Sequence, residues 1–292
     1  MSALARMEPP EVISGQLIEG LDEEEYHAHH ALSTSGMKHL LRSPKHFLLS
    51  REEERAPKPA FDEGHAIHER VLGVGAPIVQ IPRDLLSADG GVRTKDAKAW
   101  VDKARAEGKV PLKPPVFYRI TRAADAVLSN AKAKSLLERP GLSEVSLFAQ
   151  DPVTGVQLRC RFDRLSDVGL DVKSTTDVRP RKVTNTVIDF GYDVQAWVYR
   201  YVYQLVTGEE LPPMHFIFVE KEPPYEVRVV RLADPAWAVG GEAKARAAID
   251  LFAWCMEHDR WPGDDEDGGP IQDLPVPAWY ERQMDALTED VL

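Results

Sequence analysis

Hydrophobic positions along the chain change from helical spacing to alternation and back, and that change organises the sequence. Near the start, Met37, Leu40 and Leu41 recur at helical spacing behind Ser33, Thr34 and Ser35. Any of those three hydroxyls can cap a helix by accepting a free backbone N–H. Pro44 breaks or restarts this helix, and Phe47, Leu48 and Leu49 follow. Residues 61–73 read as another helix with Ile67, Val71 and Leu72 on its apolar side. Residues 83–115, with Gly90-Gly91, several lysines and Lys113-Pro114-Pro115, read as a short helix flanked by loops. Residues 117–138 read as one helix with Ile120, Ala124, Val127, Leu128, Ala131 and Leu136 on or near one side.

The centre alternates instead. Residues 144–149 form a short apolar strand pattern, and Asp151-Pro152 with Gly155 marks a turn. Val156, Leu158, Cys160 and Phe162 then alternate with Gln157, Arg159, Arg161 and Asp163, the period of a strand. Ser166 to Gly169 is a turn, and Leu170 to Ser174 the next strand. A polar, basic loop leads to a helix over 190–206, with Gly208 as its C-terminal stop. Two strands over 214–220 and 225–232 precede an Ala-rich helix over 236–257. The order predicts an α/β (α+β) domain with a mixed central sheet flanked by helices. That domain spans 31–261, behind an irregular acidic lead-in over 1–30 and ahead of a loosely ordered acidic, Pro/Gly-rich tail over 262–292.

Composition narrows the chemistry. The chain of 292 residues is ordinary for a globular protein, with 43% hydrophobic and 28% charged residues. It holds two cysteines, Cys160 and Cys255, in no paired motif, which excludes a four-cysteine zinc or iron–sulfur site within one chain. Neither an apolar run long enough to span a membrane nor a secretory leader is legible, so a cytoplasmic protein is expected. The net charge of −11 argues against a nucleic-acid partner until it is mapped. Residues 262–292 carry nine acids and one Arg, whereas 156–204 carry eight Lys/Arg against six acids. A locally basic groove decides contact with phosphates, and the whole-chain sum does not.

The sharpest signal is Asp163 followed by Asp171-Val172-Lys173. Asp171 and Lys173, two apart on a strand, share a face. A turn centred on Asp167 sets Asp163 opposite Asp171 across an antiparallel hairpin, with Cβ atoms roughly 5 Å apart. Like charges that close repel unless a cation lies between them. Two carboxylates beside a lysine therefore suit a hydrolytic Mg²⁺ site, where the lysine orients or deprotonates water or stabilises charge on a phosphate. Read alone, the same residues also suit a charged strand surface. Histidines 27, 29, 30, 39 and 46 lack a regular ligand spacing and read as solvated or structural.

Several further segments stand in order around this pair. Leu32-Ser33-Thr34-Ser35-Gly36-Met37-Lys38 runs on to Ser43-Pro44, and Gly64-His65-Ala66-Ile67-His68 follows. Glu144-Val145-Ser146, Arg161-Phe162-Asp163-Arg164, Asp171-Val172-Lys173-Ser174-Thr175 and the run from Tyr192 to Tyr199 complete the set. Together, over about residues 32–204, they resemble the RecE-type (exonuclease VIII-like) branch of the PD-(D/E)xK nucleases. These are related more distantly to lambda exonuclease and to RecB-type and CRISPR-associated nuclease domains.

The resemblance implies a restriction-endonuclease-like core and a Mg²⁺- or Mn²⁺-dependent exodeoxyribonuclease. It implies His68, Asp163, Asp171 and the Val172 carbonyl as metal ligands, Lys173 as the catalytic lysine and Glu144 as an upstream acid. Gln195 and Tyr199 match a QxxxY pair on one helical face, able to bond a phosphate or the lysine; as residues alone they can equally be packing. Arg179, Arg181 and Lys182 are either phosphate contacts or a solvated loop. The resemblance further implies 5′→3′ digestion of double-stranded DNA ends in phage-type recombination, a ring-shaped homo-oligomer and a single-strand annealing protein as partner. Ser43 stands where cluster-bearing relatives have a cysteine. The alternative to an enzyme is a DNA-binding or assembly module that keeps the nuclease fold. An endonuclease of the same fold is a further reading.

Overall fold

Alternating apolar residues build the central sheet of the computed structural model, which describes residues 15–52, 59–264 and 273–289. The first elements are β1 (Gln16–Ile18), α1 (Glu23–Ala28), α2 (Thr34–Arg42), α3 (Pro44–Glu52) and α4 (Pro59–Leu72). Next come β2 (Ile78–Gln80), α5 (Lys95–Ala106), β3 (Val110–Leu112), α6 (Pro114–Ser129) and α7 (Ala131–Leu137). The centre holds β4 (Leu142–Gln150), β5 (Gln157–Leu165), β6 (Gly169–Thr175), α8 (Pro180–Asp189) and α9 (Tyr192–Thr207). The chain continues with β7 (His215–Glu220), β8 (Val227–Arg231), α10 (Pro235–His258) and α11 (Ala278–Glu289). The main sheet runs β1-β4-β5-β6-β7-β8, with β6 and β7 parallel and its other neighbours antiparallel.

Both faces of the sheet are covered, as the two core clusters show. Leu147, Leu158, Cys160, Phe162, Phe216 and Phe218 pack with Met37 and Leu40 of α2, Val198 and Val202 of α9 and Ile249 of α10. Leu170, Val172, Ile217 and Val219 pack on the opposite side with Ile67 and Val71 of α4, Ile120 and Val127 of α6 and Leu136 of α7. Each fully buried phenylalanine contributes about 2–3 kcal/mol through the apolar surface it removes from water. This packing sets α4 against β6 on one side and α9 against the sheet on the other. The catalytic candidates on β5 and β6 lie between the two.

Helix boundaries follow local chemistry. Ser33 caps α2, its Oγ accepting from Gly36 N at 3.2 Å. Pro44 opens α3. Gly191 and Gly208, at φ 65° and 77°, take the left-handed conformations that bound α9.

Five expectations need correction. The lead-in is not wholly irregular: β1 pairs with β4, and Tyr26 of α1 packs on Phe148. Arg159 and Arg161, the polar phase of β5, stack over the Tyr26 ring at 4.7 and 4.2 Å, so this segment covers the outer face of the strand. The helix over 117–138 is two helices, because Asn130 Oδ1 accepts from Lys132 N and Ala133 N and starts α7 afresh. Residues 83–115 add β3, which pairs in parallel with β2, and the Lys113-Pro114-Pro115 segment opens α6 with proline in its first turn. The basic loop after β6 contains α8, with Pro180 at its first turn and Val183 and Val187 buried. The tail carries α11, and part of the Asp264–Asp267 run lies outside the described residues.

Candidate active site

Two strand ladders break at the same place. Between β4 and β5 the pairing runs Leu142↔Leu165, Ser143↔Arg164 and then Val145↔Phe162, leaving out the facing residues Glu144 and Asp163. Glu144 has φ 51°, a left-handed conformation that disfavours a side chain with Cβ. Between β5 and β6 the pairs are Leu165↔Gly169 and Arg164↔Leu170, so the next would be Asp163↔Asp171, the register predicted from the turn at Asp167. That backbone pair does not form. Asp163 Oδ2 instead accepts the Val172 N–H at 2.6 Å, filling the gap where the strands part.

The remaining groups converge on that gap. His68 projects from α4, and its Nε2 lies 2.7 Å from the Val172 carbonyl and 3.5 Å from Asp163 Oδ2. Ligand atoms of His68, Glu144 and Asp163 all lie within 4.8 Å of one another. On β6, Lys173 Nζ sits 2.5 Å from Asp171 Oδ1 and 4.7 Å from the centre of the Tyr192 ring. Gln195, on α9, donates its amide N–H to Asp171 Oδ2.

The electrostatics record crowding. Burial, followed by repulsion from Asp163, pushes the Glu144 carboxyl up to about 7. Burial and the Asp171 charge push Asp163 up to about 6. For His68, burial opposes protonation, but Asp163, Asp171 and the Val172 carbonyl outweigh it and raise its pKa. Burial likewise opposes the charge on Lys173, and Asp171 above all overcomes it, holding the ammonium beyond the ordinary lysine range. Carboxylates driven towards protonation beside an imidazole and a carbonyl form a donor set with too little positive charge. A divalent cation fits that deficit: the structure gathers ligand atoms of His68, Glu144 and Asp163, while Asp171 is engaged by Lys173 and Gln195 and the Val172 carbonyl lies against His68.

Most of the predicted site residues are brought together: His68, Glu144, Asp163, Asp171, Val172, Lys173 and Gln195. Gln195 donates to Asp171, a contact the sequence did not announce, and so positions that carboxylate. Tyr199 is buried, its ring edge-on to Phe162 at 4.9 Å, and is a packing residue behind the acids. Arg179 is engaged by Asp177 at 2.6 Å, while Arg181 and Lys182 are exposed on α8. Among the other histidines, His29 accepts from Ala31 N and stacks on His30, and burial lowers its pKa to about 4, a structural role. Sequence reasoning missed Tyr192 as the ring beside Lys173. Its spacing was the available signal, because Tyr192, Gln195 and Tyr199 share one face of α9.

A crystal structure of a "Putative exonuclease" from Eubacterium rectale superposes with a TM-score of 0.57 at 13% identity, covering 89% of this chain and 95% of that one. Likeness at that identity speaks for the fold alone. A second solved structure, SSO0001, reaches a TM-score of 0.29 at 12% identity, over 68% of this chain and 87% of its own. No curated protein matches. The family described as "PDDEXK-like domain of unknown function (DUF3799)" matches residues 33–268, most of the chain. With the broken ladders, the gathered acids and the adjacent lysine all inside that span, the chain belongs to this PDDEXK-like family.

Proposed function

We propose that the protein is a Mg²⁺- or Mn²⁺-dependent exodeoxyribonuclease that hydrolyses phosphodiester bonds from the ends of double-stranded DNA. The observation that carries this reading is the gathering of ligand atoms from His68, Glu144 and Asp163 within 4.8 Å of one another, beside Asp171 with Lys173 Nζ 2.5 Å from its Oδ1. Oxygen-rich donors with one imidazole suit hard divalent cations. When bound, such a cation supplies Lewis acidity at the scissile phosphate. His68, Glu144, Asp163, Asp171 and the Val172 carbonyl would hold it. Gln195 fixes the rotamer of Asp171. Lys173, kept protonated by Asp171, offers its ammonium to the negative charge that develops on the phosphoryl oxygens. The ring of Tyr192 confines that ammonium to one side.

The RecE-type resemblance supports 5′→3′ polarity, action in phage-type recombination with an annealing partner, and a ring of identical chains around the duplex. A ring also accommodates the net charge of −11, since its channel can be basic while its exterior is acidic.

The test is digestion of end-labelled linear duplex and closed circular DNA, with and without Mg²⁺ or Mn²⁺. The expected result is metal-dependent loss of the linear substrate, with the circle spared. Lys173→Ala and Asp171→Ala are each expected to lower the rate roughly 100-fold or more, on the scale of removing one preorganised charge-stabilising group. Unaltered digestion by either folded variant overturns the assignment. DNA binding without digestion by the wild type points instead to a non-catalytic module.

A further inference from the structure

A second feature leads outward from Lys173. Phe190 and Ile188, at the end of α8, are 52% and 51% exposed. A lone exposed aromatic is ordinary on a protein surface, but Phe190 is not isolated. Its ring stacks with Tyr192 at 5.9 Å and 23°; Tyr192 in turn stacks on the buried Phe216 at 5.7 Å and carries the Lys173 ammonium 4.7 Å from its centre. Lys38 of α2 extends its Nζ to 5.4 Å from the Phe190 ring centre. Gly191 lies beneath the Lys38 stem, and a Cβ at that position would stand 3.5 Å from Cγ and Cδ of the lysine. The sequence of groups from the acids to solvent is therefore ammonium, ring, ring, ammonium.

Single-stranded nucleic acid presents the complementary series, a phosphate followed by a flat base. Stacking of a base on an exposed aromatic, with a cation on the neighbouring phosphate, is a general mode of binding unpaired strands. Lys38 is exposed on α2, on the solvent side of the Phe190 ring. Lys38 and Lys173 supply the positive charge here, and the exposed Asp189 beside Phe190 opposes it.

We infer that Phe190 is a stacking platform for an unpaired base next to the scissile phosphate, and that Lys38 takes the adjoining phosphate. This rests on the nuclease reading above and adds what that reading lacks, a preference for an unpaired terminus. A base within intact duplex already has its stacking partners and cannot lie on the ring. The enzyme therefore acts on a frayed or single-stranded end faster than on a blunt one.

Phe190→Ala and Phe190→Trp in the full chain, compared on blunt and three-nucleotide frayed duplexes, test this. Phe190→Ala is expected to raise KM for the frayed substrate roughly 10-fold, with a smaller change in kcat, and Phe190→Trp to restore it. The second readout needs no cleavage. In an Asp171→Asn background, a terminal 2-aminopurine on single-stranded DNA is expected to be quenched on binding, and Phe190→Ala to abolish the quench. Equal KM values and equal quenching with and without the ring overturn the platform. If the wild type digests nothing, the nuclease reading fails, and the fluorescence result still decides whether Phe190 stacks a base.

Discussion

The two ends of the β4–β5 hairpin hold buried or half-buried carboxylates in opposite electrical circumstances. Beyond the end of β4, Asp151 is completely buried, and both of its oxygens are satisfied. Oδ1 accepts from Arg246 at 2.5 Å and the Tyr201 hydroxyl at 2.7 Å, and Oδ2 from Thr154 N and Oγ1 at 2.9 and 2.8 Å. Burial alone would raise its pKa, but Arg246, Tyr201 and Thr154 draw it down to about 2. At the other end, Glu144 near the start of β4 and Asp163 near the end of β5 are pushed to about 7 and about 6. One end is electrically complete within the protein itself. The other gathers Glu144, Asp163 and His68 and is left short of positive charge, as a site made to receive a cation is.

The sharpest way to break this contrast is to neutralise one acid at each end. Asp151→Asn leaves Arg246 and the surrounding donors with a weaker acceptor in a buried setting. A loss of about 3 kcal/mol is expected, since removing one partner of a buried ion pair strands the other. In a chain of this size that is a fall in Tm of roughly 5–10 °C. Asp163→Asn, measured metal-free, keeps an acceptor for the Val172 N–H and removes a repelling charge, so its Tm is expected to match or exceed the wild type. Equal losses at the two ends would mean that both carboxylates are structural.

The second test uses pH. Asp151 has a lowered folded pKa, so it contributes stability above the ordinary carboxylate range, and that stability is lost as pH falls towards 2. Glu144 and Asp163 have raised folded pKa values, so the folded state retains protons that the unfolded chain has released. Their contribution falls as pH rises from the ordinary carboxylate range through about 6 and 7. His68, also raised, loses its stabilising charge in the same direction. Protein in EDTA is therefore expected to lose several degrees of Tm between pH 5 and pH 8. Mg²⁺ is expected to restore more at pH 8 than at pH 5, because ligands must be deprotonated to bind it. A metal-induced shift that is the same at both pH values would contradict the crowding.

The two ends also differ in how far they were legible in the sequence. Asp163, Asp171 and Lys173 could be found because period 2 and the turn at Asp167 fix the register, and the structure keeps that register up to Leu170. The substitution of a side-chain bond for the next backbone pair could not be read, since nothing in the residue order says where a ladder stops. The lead-in was missed for a related reason. β1 has three residues and α1 six, too short to show a period, and what orders them is remote: Phe148, Arg159 and Arg161. α8 was hidden because only Val183 and Val187 are buried in an otherwise polar stretch. The Asp151 turn was legible as a turn, but Arg246 lies 95 residues away along the chain, and no local pattern announces it as the partner.

Glu144 gives the smallest effect, and it separates backbone from charge at the crowded end. Its φ of 51° disfavours a residue with a Cβ, and its carboxyl is raised to about 7. Glu144→Gln retains the strained backbone and removes the charge. In metal-free protein it is expected to stabilise at pH 8 and to be neutral at pH 5, where the native carboxyl is already protonated. Glu144→Gly removes the charge and also relieves the left-handed backbone. Relief outweighs the extra freedom of glycine in the unfolded chain by about 1 kcal/mol, a gain that persists at pH 5. Thermal melts of the three proteins at both pH values therefore resolve two increments, one pH-dependent and one not. Should Glu144→Gln destabilise at pH 8 as Asp151→Asn does, Glu144 is a satisfied acid like Asp151, and the hairpin has no electrically incomplete end.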